Sequence, residues 1–543
     1  MQREGNRLQI SQSAHVDTFT RDNLPPQAGW PEFLFKLPEL HYPASINCAA
    51  ELVDRHVLAG AGSRRCLVTD TETWTYQDLL AKSNQIARVL VEETGMVPGN
   101  RVLLRGPNNP WLVAAWFGVL KAGGVAVTTM PLLRAGELRT VVDIAEVDLA
   151  VCDHRFVADL EAAAAPNVTT LLYGGSGQDD LTQVAGRKPA RLVNVATAAD
   201  DVCMLAFTSG TTGKPKATMH FHRDVLAIAD TFSKHVLRPT PDDLFAGSPP
   251  LAFTFGLGQS VIFPLRAGAA TYLLEQPSPA GLLEAVEAHR ITVLATAPTA
   301  YRAMIPTLPA ADISSLRACV SAGETLPSAT WEAVHEASGI RLIDGIGSTE
   351  MLHIFISAGG DEIRPGSTGR AVAGYEAEVQ DPDGRPVPDG EWGRLAVKGP
   401  TGCRYLRGDR QSTYVRDGWN VTGDVYARDS DGYFHYQARA DDMIISSGYN
   451  IAGPEVEEAL LRHPDVAEVA VVGAPDEDRG MIVKAVVVLR PGAELGSEPA
   501  KTLQDFVKSQ IAPYKYPRVI EFADALPRTA TGKLQRFRLR EGS

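Results

Sequence analysis

Cysteine is scarce and scattered in this chain. The six cysteines (Cys48, Cys66, Cys152, Cys203, Cys319 and Cys403) lie far apart in 543 residues. No pair has the short spacing of a zinc site, and a dispersed set reads as reduced thiols in a cytoplasmic enzyme. Long apolar runs are missing as well. The most apolar stretch, residues 111–120, ends at Lys121, well short of the ~20 residues that cross a bilayer. The opening segment MQREGNRLQISQSAHVDTF has no apolar core of the signal-peptide kind. Positive charge is in deficit, 52 Lys and Arg against 65 Asp and Glu for a net charge of −13. That balance argues against general affinity for nucleic acid or anionic membranes. It leaves room for a local basic site that binds an anionic small molecule.

What is present is the material of a globular protein, 44% hydrophobic and 22% charged, long enough for more than one domain. Residues 1–45 are polar and Pro-rich and read as an extended arm laid on the surface. Tyr76, Leu79, Leu80, Ser83, Ile86, Ala87 and Leu90 share one face at a period near 3.6, which predicts a helix. After the turn Pro98-Gly99-Asn100, residues 101–104 read as a strand, 110–121 as a helix and 125–128 as a strand. The alternation recurs at 281–289 (helix) and 291–295 (strand), and repeated βα units predict parallel sheets covered by helices. After about residue 370, alternating strands at 376–380 and 394–398 flank DPDGRPVPDGEWG, which predicts a small antiparallel or barrel-like layer. Beyond Asp441, a helix at 454–462 with Pro454 in its first turn and strands at 466–472 and 483–489 predict a separate α+β domain. No internal repeat or low-complexity tract is evident.

The most informative segment is Leu205-Ala206-Phe207-Thr208-Ser209-Gly210-Thr211-Thr212-Gly213-Lys214-Pro215-Lys216. An apolar strand enters a loop of hydroxyls and glycines closed by lysines. Gly210 and Gly213 let backbone N–H groups approach a polyphosphate, the hydroxyls of Thr208, Ser209, Thr211 and Thr212 donate further bonds, and Lys216 neutralises charge. Its spacing differs from the common P-loop, GxxxxGK[ST].

The full string closely resembles the phosphate-binding signature of adenylate-forming enzymes: acyl-CoA synthetases, peptide-synthetase adenylation domains and luciferases. Four further segments follow in that family's order. Asp344-Gly345-Ile346-Gly347-Ser348-Thr349-Glu350 resembles the motif whose threonine contacts the adenylate phosphate and whose glutamate helps to hold Mg²⁺. It departs from the commonest form, which has an aromatic residue where Ile346 stands. Val421-Thr422-Gly423-Asp424 resembles the motif whose aspartate binds the ribose hydroxyls. Arg439-Ala440-Asp441-Asp442-Met443-Ile444 resembles the domain junction, with Arg439 on the ribose and phosphate side and Asp441 as pivot. Pro527-Arg528-Thr529-Ala530-Thr531-Gly532-Lys533 resembles the terminal motif carrying the catalytic lysine.

The resemblance implies an α/β fold with a large N-terminal domain (1–438), a hinge (439–442) and a smaller mobile α+β C-terminal domain (443–543) that bears Lys533. It also implies a reaction. A carboxylate attacks the α-phosphate of ATP, giving an acyl-adenylate and pyrophosphate; Lys533 bridges the two anions, and Lys216, Thr349 and Glu350 organise phosphate and metal. Glu324, Asp344, Gly345 and Ile346 join the ATP-binding set. After rotation about Asp441, the stretch Ser447-Gly448-Tyr449 lines the approach of the pantetheine arm of CoA.

Residues 251–258 (LAFTFGLG) and 346–355 (IGSTEMLHIF) look like those of benzoate–CoA ligases, and the N-terminal strings DTFTRDNLPP, YPA and NCAAEL are more like those of 2-aminobenzoate–CoA ligases. A planar acid needs an apolar slot closed by a few oriented polar groups. Phe253, Thr254, Phe255, Ala322, Gly323, Gly347, His353 and Ile354 are the candidate lining. Core packing is the alternative for Phe253 and Phe255, and a structural role for His353; His220 and His222 read as structural. Three rival functions share these motifs: an aryl-adenylating enzyme that loads a carrier protein, a luciferase-like oxygenase, and a nucleotide-binding regulator without catalysis. Neither a nucleic acid nor a membrane partner is expected, and both a monomer and a homodimer are compatible with the sequence.

Overall fold

A computed structural model describes residues 10–163, 168–209, 215–408, 410–446, 449–476, 479–493, 495, 498–528 and 534–541. A hairpin of β1 (Arg65–Val68) and β2 (Thr73–Thr75) leads into α1 (Tyr76–Thr94). Thr75 and Asp78 close a reciprocal capping box at its start, and Gly95, at φ 72°, ends it in the left-handed region. The helix buries Tyr76, Leu79, Ser83, Ile86, Ala87 and Leu90 as the periodicity required; Leu80 is only half-buried. It packs on α2 (Pro110–Lys121), whose entire surface except Trp111 is buried. The apolar stretch is therefore a core helix, apolar all round because protein surrounds it. No helix among the described residues is long and apolar enough to cross a membrane.

The strands β3 (Arg101–Arg105), β4 (Val125–Thr129), β5 (Leu149–Asp153), β6 (Thr169–Tyr173), β7 (Val202–Ser209) and β8 (Pro215–Phe221) form a sheet ordered β6-β5-β3-β4-β7-β8. All its pairings are parallel except β7–β8, an antiparallel hairpin. A second sheet joins β1 and β2 to β9 (Leu244–Gly247), β10 (Ala270–Tyr272), β11 (Val293–Thr296), β12 (Ala318–Ser321), β13 (Ile343–Gly347), β14 (Ile354–Ser357) and β15 (Arg370–Ala371). Its order is β15-β14-β13-β12-β11-β9-β10-β1-β2. Antiparallel β16 (Glu376–Gln380), β17 (Trp392–Lys398), β18 (Val415–Arg416), β19 (Trp419–Arg428) and β20 (Phe434–Arg439) form the smaller layer expected after residue 370. Finally β21 (Ile444–Ser446), β22 (Tyr449–Ile451), β23 (Val466–Asp476), β24 (Gly480–Leu489) and β25 (Val519–Phe522) pack with their helices around their own apolar core.

The N-terminal arm is more than a surface strap. Trp30, Leu34 and Leu40 are buried, and the Trp30 indole N–H donates to the Pro25 carbonyl at 2.7 Å. Phe33 bridges to Gly399 and Ser45 to Ala198, which fastens the arm to two distant parts of the chain. The average polarity of residues 1–45 concealed this short aromatic cluster.

A fully buried ion pair fixes the end of the first sheet. Arg404 bonds to Asp224 in α3 (His222–Ile228), and its guanidinium lies 3.9 Å from the Phe221 ring centroid. Two charges leave water here, and their mutual attraction together with further bonds to the protein must offset that cost. Arg404→Met is expected to destabilise the chain by about 3–5 kcal/mol, because it strands the Asp224 carboxylate. Arg404→Met/Asp224→Leu should recover much of that loss. Denaturant melts of both variants check this, and equal melts for single and double variants would contradict it.

Candidate active site

The hydroxyl- and glycine-rich segment begins at the end of β7 and closes at the start of β8. Thr208 stands opposite Lys216 and Ser209 opposite Pro215. Gly210, Thr211, Thr212 and Gly213 of the loop lie outside the described residues, as do Ser447, Gly448 and Lys533. Segment 404–406 runs along β8: the Met219 N–H donates to the Arg404 carbonyl at 2.8 Å and the Leu406 N–H to Ala217 at 2.9 Å. This register sets the Tyr405 ring beneath Lys216, whose Nζ lies 5.4 Å from the ring centroid. Burial lowers the Lys216 pKa and Arg410 lowers it further, whereas Glu350 opposes both.

The Tyr405 hydroxyl donates to Glu350 Oε1 at 2.6 Å. Glu350 sits in the connection between β13 and β14, so this bond joins the two large sheets at the site. The connection is tight. Leu352 adopts φ 69°, a left-handed conformation that costs a side-chain-bearing residue about 1–2 kcal/mol. Gly347 faces Ile354, and a Cβ on it would come within 2.7 Å of the His353 backbone, so glycine is required. Ser348 Oγ and the Tyr414 hydroxyl meet at 3.1 Å.

Asp424 on β19 and Arg439 on β20 are direct cross-strand partners, joined at 3.2 Å. Asp424 is the first cause of the raised Arg439 pKa. Glu350 acts electrostatically on Lys216, Asp424 and Arg439 alike, so the four motif residues share one site. Thr349, next to Glu350, presents its backbone to the buried His220 ring. Cations flank a pair of carboxylates, which suits a polyanion that arrives with a compensating metal. Among the described residues no group of three metal ligands includes Glu350. One carboxylate fits a Mg²⁺ whose remaining ligands are phosphate and water.

Glu324 follows Gly323, which is held at φ 90°. Its carboxylate accepts from Arg528 Nη1 at 3.1 Å, and Arg528 Nη2 donates to Glu468 on β23 at 2.6 Å. Arg528, within the terminal motif, and Leu534, directly after it, pair with each other. Asp344 lines a cleft of ≈ 290 Å³, its open mouth included, with Leu326, Trp331, Pro365 and Thr368. Gly345 and Ile346 continue β13 from there, with Ile346 half-buried opposite Ile356. Asp441 occupies the 3₁₀ turn Ala440–Asp442 directly after β20, and Tyr449 begins β22 opposite Ser446 in the C-terminal sheet.

Of the expected pocket residues, the structure draws Phe255, Gly347, His353 and Ile354 together. His353 is buried, with the Phe263, Phe232 and Phe255 ring centroids at 4.5, 5.6 and 5.8 Å. Neither of its ring nitrogens has a hydrogen-bond partner among the described residues. Burial lowers its pKa to about 3, so the imidazole is neutral at physiological pH. Phe253 and Thr254 are half-buried at the start of the same short helix as Phe255, and Ala322 is buried just beyond β12.

Sequence reasoning missed Tyr405, Tyr414 and Arg410 as neighbours of the site, and Phe232 and Phe263 as walls of the His353 cage. Tyr405 and Tyr414 lie in an unremarkable stretch between two motifs, and only the register against β8 reveals them. Phe232 and Phe263 sit in apolar helical runs that look like any core.

Two βα-layered sheets, an antiparallel layer and a C-terminal α+β unit, converging on a cation-flanked pair of carboxylates, define an adenylate-forming enzyme. The chain belongs to the AMP-binding enzyme family, whose model matches residues 54–405, with the AMP-binding enzyme C-terminal domain at residues 455–533. It is 35% identical over 513 residues to a benzoate–CoA ligase of Thauera aromatica, covering 93% of this chain and 97% of that one. The crystal structure of the anthranilate CoA ligase AuaEII in complex with anthranoyl-AMP superposes with a TM-score of 0.89 at 33% identity, covering 93% of this chain and 99% of that one. A benzoate CoA ligase from Burkholderia xenovorans LB400 gives a TM-score of 0.84 at 33% identity, covering 91% and 100%.

Burial raises the Asp344 pKa from 3.8 to about 8, against the pull of the Gly345 N–H. The folded chain therefore keeps a proton that the unfolded chain has lost. This stabilisation is complete below pH 3.8 and disappears as pH rises through about 8. Asp344→Asn should flatten the decline in melting temperature across that window. An unchanged slope would count against the assignment.

Proposed function

We propose that this chain is an ATP-dependent aryl acid–CoA ligase that acts on benzoate-like acids, with 2-aminobenzoate and benzoate the favoured substrates. The observation that carries the aryl reading is the His353 cage. A neutral imidazole lies among three aromatic rings at the end of the connection that bears Glu350, close to the Phe255 backbone but with no formed hydrogen bond among the described residues. Apolar surroundings with one uncharged hydrogen-bonding group suit a planar ring and a polar ring substituent. The whole-chain likeness to benzoate and anthranilate CoA ligases supports the same reading.

In this proposal the aryl carboxylate attacks the α-phosphate of ATP and pyrophosphate leaves. The barrier lies in bringing two anions together, so positioned cations supply much of the catalysis. Lys216 and the loop hydroxyls hold the departing phosphates, Asp424 accepts from the ribose hydroxyls, and Lys533 bridges carboxylate and α-phosphate. Thr349 contacts the adenylate phosphate, and Glu350 would hold a Mg²⁺, which when bound neutralises phosphate charge. The CoA thiol then attacks the acyl carbon and AMP leaves. That step calls for an open approach, which rotation about Asp441 provides as Ser447, Gly448 and Tyr449 come to line it. The Arg528 bridge between Glu324 and Glu468 supports a first-step arrangement, because it ties the flank of the terminal motif to the large domain.

Two measurements test the proposal. Lys533→Ala should abolish acyl-adenylate formation while largely sparing thioester formation from supplied adenylate; equal loss of both half-reactions would refute the division of roles. Benzoate, 2-aminobenzoate and salicylate should each release pyrophosphate and yield a CoA thioester. Turnover of medium-chain fatty acids alone would overturn the aryl assignment, and acyl transfer only to a holo carrier protein would overturn CoA as acceptor.

A further inference from the structure

Far along the chain from the substrate pocket, three segments bring soft donor atoms together in the core. Cys48 comes from the end of the N-terminal arm, Cys203 from the start of β7, and His222 from the first position of α3. All three are completely buried. The two sulfurs and one imidazole nitrogen lie within 4.8 Å of one another. Cys66, Cys152, Cys319 and Cys403 are also buried, yet none belongs to such a group among the described residues.

The imidazole is turned for ligation. His222 Nδ1 lies 3.2 Å from the backbone N–H of Cys48, which donates to it, and 3.1 Å from Cys48 Sγ. An Nδ1 that accepts from a backbone N–H is unprotonated, with the proton on Nε2, and a metal binding there would take over the lone pair that now meets the Cys48 N–H. That Nε2 is buried without a partner among the described residues. Neighbouring His15 likewise has an unpartnered Nε2.

We propose that Cys48, Cys203 and His222 form a structural site for a soft divalent cation, with Zn²⁺ the favoured occupant. Thiolate and imidazole donors select zinc-like ions over Mg²⁺ or Ca²⁺. Zinc bonds of about 2.3 Å to sulfur and 2.0–2.1 Å to nitrogen require only a small closure of the widest donor pair. As the metal–sulfur bonds form, both thiol protons leave to solvent, and two thiolates with one divalent cation make a neutral unit. Neutrality removes the penalty that a lone buried charge would incur. Three protein donors leave the fourth position to a water. Occupancy would pin together the two ends of the β7–β8 hairpin and the N-terminal arm, so its main effect is on stability.

The test uses the full chain, refolded with and without Zn²⁺ and then desalted. Elemental analysis should find about one zinc per chain, with a higher melting temperature that a chelator reverses. Titration with Cd²⁺ should produce thiolate-to-metal absorption that saturates at one equivalent, and cadmium-113 NMR should report a mixed sulfur and nitrogen donor set. Cys203→Ser should lose the site and Cys66→Ser should keep it. The wild-type spectra stand on their own should Cys203→Ser fail to fold. Absence of stoichiometric zinc and of the Cd²⁺ band in the wild type overturns the proposal, as does equal binding by both variants.

Discussion

The buried pair between Arg404 and Asp224 is the constraint on which the site geometry depends. It anchors segment 404–406 against β8 at the head of α3, and so determines which face of Tyr405 meets Lys216. Tyr405 in turn holds Glu350 from the second sheet. One charged contact in the core thereby sets the spacing between the β7–β8 hairpin and the β13–β14 connection. Because neither charge can reach water, the segment cannot slide by a residue without stranding one of them. The arrangement gains register at a cost in desolvation.

Electrostatics then divides the site into parts with different duties. Lys216 and Arg439 are cations that burial and their neighbours push in opposite directions, Lys216 down and Arg439 up. Asp344 is driven toward its neutral form, and His353 is held neutral from the other side. Cations are kept where the polyanion is proposed to bind, and the imidazole of His353 is held neutral where the aryl ring is proposed to sit. Arg528 adds a contact of another kind, since it links Glu324 of the large domain to Glu468 of the C-terminal sheet.

Much of this was legible in the chain. The period of α1, the Pro-led starts of α2 and of the helix after residue 452, and the antiparallel layer after residue 370 all follow from local pattern. The motif residues Lys216, Glu350, Asp424 and Arg439 were named from their strings and come together in space. The arm was misread because averaging over 45 residues diluted Trp30 and Leu34. Tyr405, Phe232 and Phe263 carried no local signal, since an aromatic residue in an apolar or mixed run looks the same whether it walls a site or fills a core. His222, read as structural from its place after the hairpin, gained two sulfur neighbours from positions 48 and 203.

By itself the sequence determined the family, the order of the elements and four polar residues, Lys216, Glu350, Asp424 and Arg439, that meet in the candidate site. These depend on spacing within a few residues, where covalent geometry and side-chain periodicity allow few alternatives. Tertiary structure alone decided that Tyr405 should hold Glu350, that His353 should lie unpartnered among three rings, and that Cys48, Cys203 and His222 should converge. Such contacts join residues separated by tens to hundreds of positions. Their distances come from sheet register and core packing, which no local pattern encodes.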